Sequence, residues 1–240
     1  MERGIVLLSL VAVLGGCVAE SGDEAMFVLK NVRADSMCMV TSPSETEAGI
    51  SQGTLDLRTP SGYVFIAQTK SRVTAVAGQE DQRTIILTNA KVNLTFPGST
   101  LFTAADLADL KTRGVTHFKQ LFTAPLVPNG GLVDVGFVLL PPAVVTELSA
   151  DMAKAKLATL QVVATFTIEG DMSGGIVSSQ AFTYPVTMGN GLTANVLGAC
   201  PLPTGTALRT GYACNPAQDG VVDCCTSGAA LICPATVATM

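Results

Sequence analysis

Cysteine placement constrains this chain more than any other feature. Cys38 stands near the start, while Cys200, Cys214, Cys224, Cys225 and Cys233 crowd into residues 200–233. An even set of six in an exported chain predicts a disulfide framework. The adjacent Cys224 and Cys225 are not expected to bridge each other, because that ring would strain the peptide bond between them. If all six pair, at least one bond is internal to the tail, and Cys38 is expected to reach the tail and tie the two ends together. The tail has few large apolar residues, so cross-links have to supply the order that burial cannot. Its Cys-x9-Cys-Cys-x7-Cys spacing lacks the close cysteine pairs of a zinc knuckle, so no metal is expected there.

A seventh cysteine belongs to different chemistry. The opening MERGIVLLSLVAVLGGCVAE has no charge from Gly4 to Ala19, a run of 16 residues. An ordinary bilayer helix needs about 20, and a short apolar core ending in small residues reads as a secretory signal. Leu14-Gly15-Gly16-Cys17 resembles the bacterial lipobox. That resemblance implies that residues 1–16 are removed and that Cys17 becomes the first mature residue, carrying acyl chains. One chain anchors only marginally, whereas several hold firmly. Val18, in place of an aspartate, points to the outer membrane, with the protein facing the periplasm or the cell surface.

Removal of residues 1–16 leaves 240 − 16 = 224 residues, enough for one large domain or two small ones. Net charge is −5, charged residues make up 14%, and Lys and Arg form no cluster. Nucleic acid is therefore not an expected partner. Residues 17–26 read as a tether, 27–188 as the body and 189–240 as a cysteine-rich tail packed on it.

Within the body, MFVLKNV, TLDLRT, GYVFIAQTKSRVTAV and RTIILTNAKVNLTF read as strands. In the last, Ile86, Thr88, Ala90, Val92, Leu94 and Phe96 are expected to share one face. Residues 102–114 predict a helix: Thr103 as N-cap, Asp106 three residues on, Phe102 and Leu107 as staple, Gly114 as stop. Pro142 starts a second, whose stripe is Val144, Leu148, Met152 and Ala155. LQVVATFTIEG and GIVSSQAFTYPV flank DMSGG as a hairpin. About eight strands and two short helices predict a mainly β fold, an antiparallel β-sandwich of immunoglobulin-like type.

The sequence names no catalytic group. His117 is the one histidine and reads as a surface or packing residue. No Gly-x-Ser-x-Gly, HExxH or Walker A motif appears, and no cofactor is expected. Two carboxylate pairs, Asp219 with Asp223 and Glu169 with Asp171, read as solvated loop and turn charges rather than a calcium or glycosidase pair. Asn93-Leu94-Thr95 fits a glycosylation sequon but lies in an expected strand.

Residues 152–188, with CNPAQDGVVDCC at 214–225 and GTLDLRTPSGYVF at 53–65, resemble an uncharacterised group of lipoproteins from myxobacteria and their relatives. The likeness spans most of the mature chain and implies location and architecture, with no known activity. Members often carry a cysteine pair soon after the FTYPV strand; TMGNGL at 187–192 has none. The resulting expectation is a binding or structural module anchored in the envelope by lipid. Its partner would be an envelope protein or a glycan. The alternatives are an envelope hydrolase and a carrier of lipid or another apolar ligand.

Overall fold

The computed structural model describes residues 24–35, 37–40, 43–58, 61–75, 77–78 and 83–238. Strands dominate, in three sheets. The first has the order β1-β3-β6: Met26–Asn31, Tyr63–Ser71 and Leu132–Leu140. The second runs β2-β9-β7-β4-β5, from Gly53–Asp56 through Phe182–Gly189, Thr159–Met172 and Ile85–Thr95 to His117–Leu126. β8, Gly175–Ser178, also pairs with β7. The third joins β10, β11 and β12 (Ala194–Ala199, Val222–Ser227, Ala230–Ile232) within the tail, where glycine and cysteine had hidden the alternation.

One apolar core joins the first two sheets. Phe65 of β3 meets Phe166 of β7 edge-on at 5.0 Å, and Phe137 of β6 meets the same ring at 5.2 Å. Buried positions alternate along β7 from Leu160 to Ile168, as a strand with one buried face requires.

The pairing is not wholly antiparallel, as the sequence had led one to expect. β2 lies parallel to β9, and β10 parallel to β11. Parallel neighbours are joined by long crossings rather than hairpin turns, so no local signal announces them. A second correction concerns β4. Its register slips between Leu87 and Asn89 against both neighbours. Ile85 and Leu87 are therefore buried beside Ala90, Val92 and Leu94, while Ile86 and Thr88 turn outward. A bulge inserts one residue and shifts the face.

Short-range signals fare better. β7 and β8 are joined by Ser173-Gly174, with φ of 54° and 81°, the positive pair that a tight hairpin turn needs. The strands extend further than expected, taking Asp171 and Met172 into β7. α1, Ala104–Thr112, begins with a capping box: the Thr103 hydroxyl accepts from the Asp106 N–H, and Asp106 accepts from the Thr103 N–H at 2.8 Å. It ends as Gly114, at φ 73°, donates to Lys111 O and Val115 donates to Leu110 O. α2, Pro142–Ala155, buries Val144, Val145, Leu148 and Met152, while Ala155 is exposed and not part of the stripe. No helix among the described residues is long and apolar enough to cross a membrane.

The six cysteines pair as Cys38–Cys214, Cys200–Cys225 and Cys224–Cys233, with Cα separations of 5.1, 5.1 and 4.5 Å. Cys38 does reach the tail, and Cys224 and Cys225 go to separate partners. Cys200–Cys225 sits in a small satellite core with Leu202 and Ala235.

The first of these pairs spans a sequence separation of 176, the last only 9. The entropy that a cross-link removes from the unfolded chain grows with the loop it closes. Replacing Cys38 and Cys214 by alanine is expected to lower stability by about 2–4 kcal/mol in urea unfolding. A loss under about 0.5 kcal/mol would show that the bond constrains little.

Candidate functional site

α1 is an excursion between two paired strands. The chain leaves β4 at Thr95, turns at Pro97-Gly98, runs through the helix and re-enters the sheet at His117, which pairs with Asn93. The Leu94 N–H donates to Thr116 O at 2.8 Å and closes the base. Between helix and strands lies a cleft of about 360 Å³. Its apolar wall is built by Phe96 and Phe102, with ring centroids 4.7 Å apart, and by Leu107. Asn93, Lys111 and His117 supply the polar side.

Each polar group has a distinct character. The Asn93 Oδ1 is buried and meets no donor among the described residues. Burial pushes the His117 imidazole below its ordinary pKa, and the Lys111 charge pushes the same way, so the ring is neutral at neutral pH. Its Nδ1 lies 3.0 Å from the Thr116 hydroxyl. Thr116 is only 2% exposed, so the pair offers no accessible nucleophile. The cleft can therefore receive a flat apolar surface on Phe96 and Phe102, a hydrogen-bonding group on the exposed His117 and an anionic group on Lys111. A larger cavity of about 530 Å³ opens between α1 and α2. There Arg113 binds Asp109 at 2.7 Å and also Glu147. Its charges are largely spent on one another.

Cys17 lies outside the described residues. His117 is in β5, as expected, but it faces a cleft. The two aspartates of the tail are not solvated loop charges. Asp223 is 3% exposed and accepts from the Arg209 guanidinium and backbone and from Asn195. Those bonds hold its carboxyl well below the usual range. Asp219, with φ 53°, accepts from the Thr54 N–H at 2.7 Å and the Tyr63 hydroxyl at 2.6 Å. Burial outweighs those bonds and raises its pKa. Glu169 is not in a turn: it lies in β7 and forms ion pairs with Lys91 of β4 and Lys119 of β5. The Lys91 bond, against a smaller effect of burial, lowers its pKa. Asp171 accepts from the Gly174 N–H at 3.0 Å, closing the hairpin. Among the described residues no group of three or more His, Cys, Asp or Glu is placed to hold a metal.

Two polar centres escaped the sequence reading. Asp56, 2% exposed, accepts from Arg58, from the Gly191 and Thr193 N–H groups and from the Thr193 hydroxyl, fixing the start of the tail to β2. The other centre is a chain of hydroxyls. Asn31 Nδ2 donates to Tyr184 at 3.0 Å, Tyr184 and Tyr63 share a bond of 2.9 Å, and Tyr63 donates to Asp219. Arg58 reaches Asp56 from the turn that ends β2, where its own N–H also donates to the carboxylate at 3.0 Å. Nothing local marks the second, whose members lie in four separate segments.

No protein-family model matches the chain, and comparison with curated proteins finds no match. Among solved structures, a crystal structure of a protein from Archaeoglobus fulgidus is similar over 59% of this chain and 95% of that chain, at 10% identity and a TM-score of 0.35. A likeness that weak carries no argument.

Burial alone would raise the Asp56 pKa, but the Arg58, Gly191 and Thr193 bonds outweigh it and hold the carboxyl below its ordinary value. A depressed folded-state pKa contributes stability above the unfolded value near 4, and that stability is lost as pH falls through the folded value. Asp56→Asn is expected to be less stable than wild type at pH 7 and to show a shallower loss between about pH 4 and pH 2. Parallel stability curves for the two proteins over that range would contradict this.

Proposed function

We propose that the chain is a lipid-anchored binding module of the cell envelope, its two core-sharing sheets forming an immunoglobulin-like sandwich and the α1 cleft its binding site. In this reading residues 1–16 are the export signal and Cys17 carries the acyl chains at the outer membrane. Because β1 starts at the buried Met26 and β9 ends at Gly189, the tether in this reading is 17–25, the body 26–189 and the clamped tail 190–240, one residue off the bounds expected from sequence at each junction.

The observation that carries the reading is the cleft itself, in which an aromatic wall stands beside the exposed Lys111 and His117 side chains. Binding sites combine apolar walls with a few placed polar groups in this way. That chemistry suits an envelope glycan bearing amide and carboxylate groups. A sugar ring lies against the aromatic side chains, an amide or hydroxyl hydrogen-bonds with the His117 ring, and a carboxylate meets Lys111. The space between the sheets, where a carrier would hold a lipid, is filled by Phe65, Phe137, Phe166 and Tyr184. We therefore place the ligand at the cleft.

The test has two readouts. Mass spectrometry of the protein isolated from membranes is expected to find an acylated Cys17 at the mature N-terminus. Calorimetric titration with a soluble muropeptide, a disaccharide with N-acetyl groups and a carboxylate-bearing peptide, is expected to show binding. Lys111→Ala should weaken it about tenfold, the equivalent of one charge-assisted hydrogen bond. An unacylated mature N-terminus would refute the anchor. Absent binding, or binding indifferent to Lys111→Ala, would refute the cleft.

A further inference from the structure

An apolar patch lies at one end of the outer face of the second sheet. Pro125 of β5, Ile86 of β4, Asp171 of β7 and Ile176 of β8 stand opposite one another in successive pairs. In-register residues project to the same side, so these four form a row, roughly 14 Å across at the usual strand spacing. Ile86 is 41% exposed and Ile176 80%, and Leu121, on the same side of β5 as Pro125, is 78% exposed. The bulge in β4 is what turns Ile86 outward. Single exposed apolar residues are ordinary, but Ile86, Pro125, Leu121 and Ile176 gather at one end of a sheet face, interrupted only by Asp171 and Thr123, and such a gathering marks a contact surface. Asp171, the one acid in the row, turns its Oδ1 to the hairpin N–H. Further along the same face the charged band of Lys91, Glu169 and Lys119 begins.

The place where the chain enters the fold identifies what covers this patch. Met26 forms an isolated parallel bridge to Ser179, the residue after β8, so the chain enters the fold beside the strand that carries Ile176. From Cys17 to Glu24 is seven residues, at most about 25 Å of extended chain. Met37 and Met39, the other strongly exposed apolar pair, follow the far end of β1.

The geometry points to the lipid bilayer as the occupant. The patch of Ile86, Leu121, Pro125 and Ile176 rests on the membrane surface, with Lys91 and Lys119 at headgroup level, and orients the body on its anchor. This inference rests on the reading of Cys17 as the lipid carrier. The acyl chains hold the body within reach, and the patch fixes which side faces the membrane. An exposed apolar group that enters the interface adds to the hold of the anchor and takes the hairpin out of water.

The test uses the full mature chain with a hexahistidine tag in place of Cys17, bound to phosphatidylethanolamine–phosphatidylglycerol vesicles doped with nickel-chelating lipid. The readout is hydrogen exchange, bound against free. Because the tag replaces the acyl chains, the result does not depend on modification of Cys17. Exchange at residues 172–178 and 119–127 should slow about fivefold or more on the vesicles, with none of that slowing in residues 200–233. Ile176→Asp combined with Leu121→Asp should abolish the protection while the tag still holds the chain on the vesicles. Both side chains are exposed, so the thermal midpoint should be unchanged. No slowing in a vesicle-bound chain, or slowing confined to the tail, would overturn the proposal. So would a dimer in solution that Ile176→Asp dissolves, which would assign the patch to a second copy.

Discussion

A buried line of hydrogen bonds holds the parts of this protein in one arrangement. Asn31 and Tyr63 come from the first sheet, Tyr184 from the second and Asp219 from the tail. Every link has a partner: Asn31 Oδ1 accepts from the Ile66 N–H at 3.0 Å, and Asp219 Oδ1 accepts from the Thr54 N–H. Burial raises the Tyr63 pKa, with Asp219 and Tyr184 adding to it, so the phenol stays a donor. A network of this kind stabilises only when it is complete, because an unmet polar group in a dry interior is costly. It also demands room. A Cβ at Gly53 would lie 2.6 Å from the Tyr63 ring, so only glycine lets β2 pass the ring there.

The tail is tied on around that line. Gln218 donates to Val64 O at 2.7 Å and accepts from the Val64 N–H, continuing β3 with a side chain. Asn215 donates to Gly62 O, Arg33 donates to Asp219 O, and Tyr212 accepts from the Ala34 N–H. Cys38–Cys214 closes the same junction covalently. The tail, whose own core is only the small cluster of Leu202, Cys225 and Ala235, is thus held against the larger core of the body. The α1 cleft lies apart from this junction, on the excursion between β4 and β5, so the scaffold and the candidate binding site draw on different residues.

What the sequence revealed follows from how local each signal is. The capping box at Thr103, the glycine stop at 114 and the hairpin around DMSGG are set by a few adjacent residues and were legible, though the turn is tighter than that five-residue loop. The Cys38 link was legible by counting. The face of β4 was not, because one residue inserted at Thr88 reverses the alternation without changing the composition. β2 beside β9 and the hydroxyl line were hidden because their partners are remote in sequence. At the cleft, His117 and Asn93 were both noticed, but the helical excursion that turns them into one site is a tertiary fact. Asp219 and Asp223 look alike in sequence, yet burial raises the pKa of one and Arg209 lowers that of the other.

The claim that the hydroxyl line couples body and tail is tested most directly by a double-mutant cycle on Tyr63→Phe and Asp219→Asn, read by urea unfolding with the disulfides intact. Each change alone leaves a buried group without its partner. The structure predicts that the second change costs much less once the first is made, a coupling of about 1–3 kcal/mol. Losses that add to within about 0.5 kcal/mol would contradict it, and would leave the disulfide and the surrounding backbone bonds as what holds the tail.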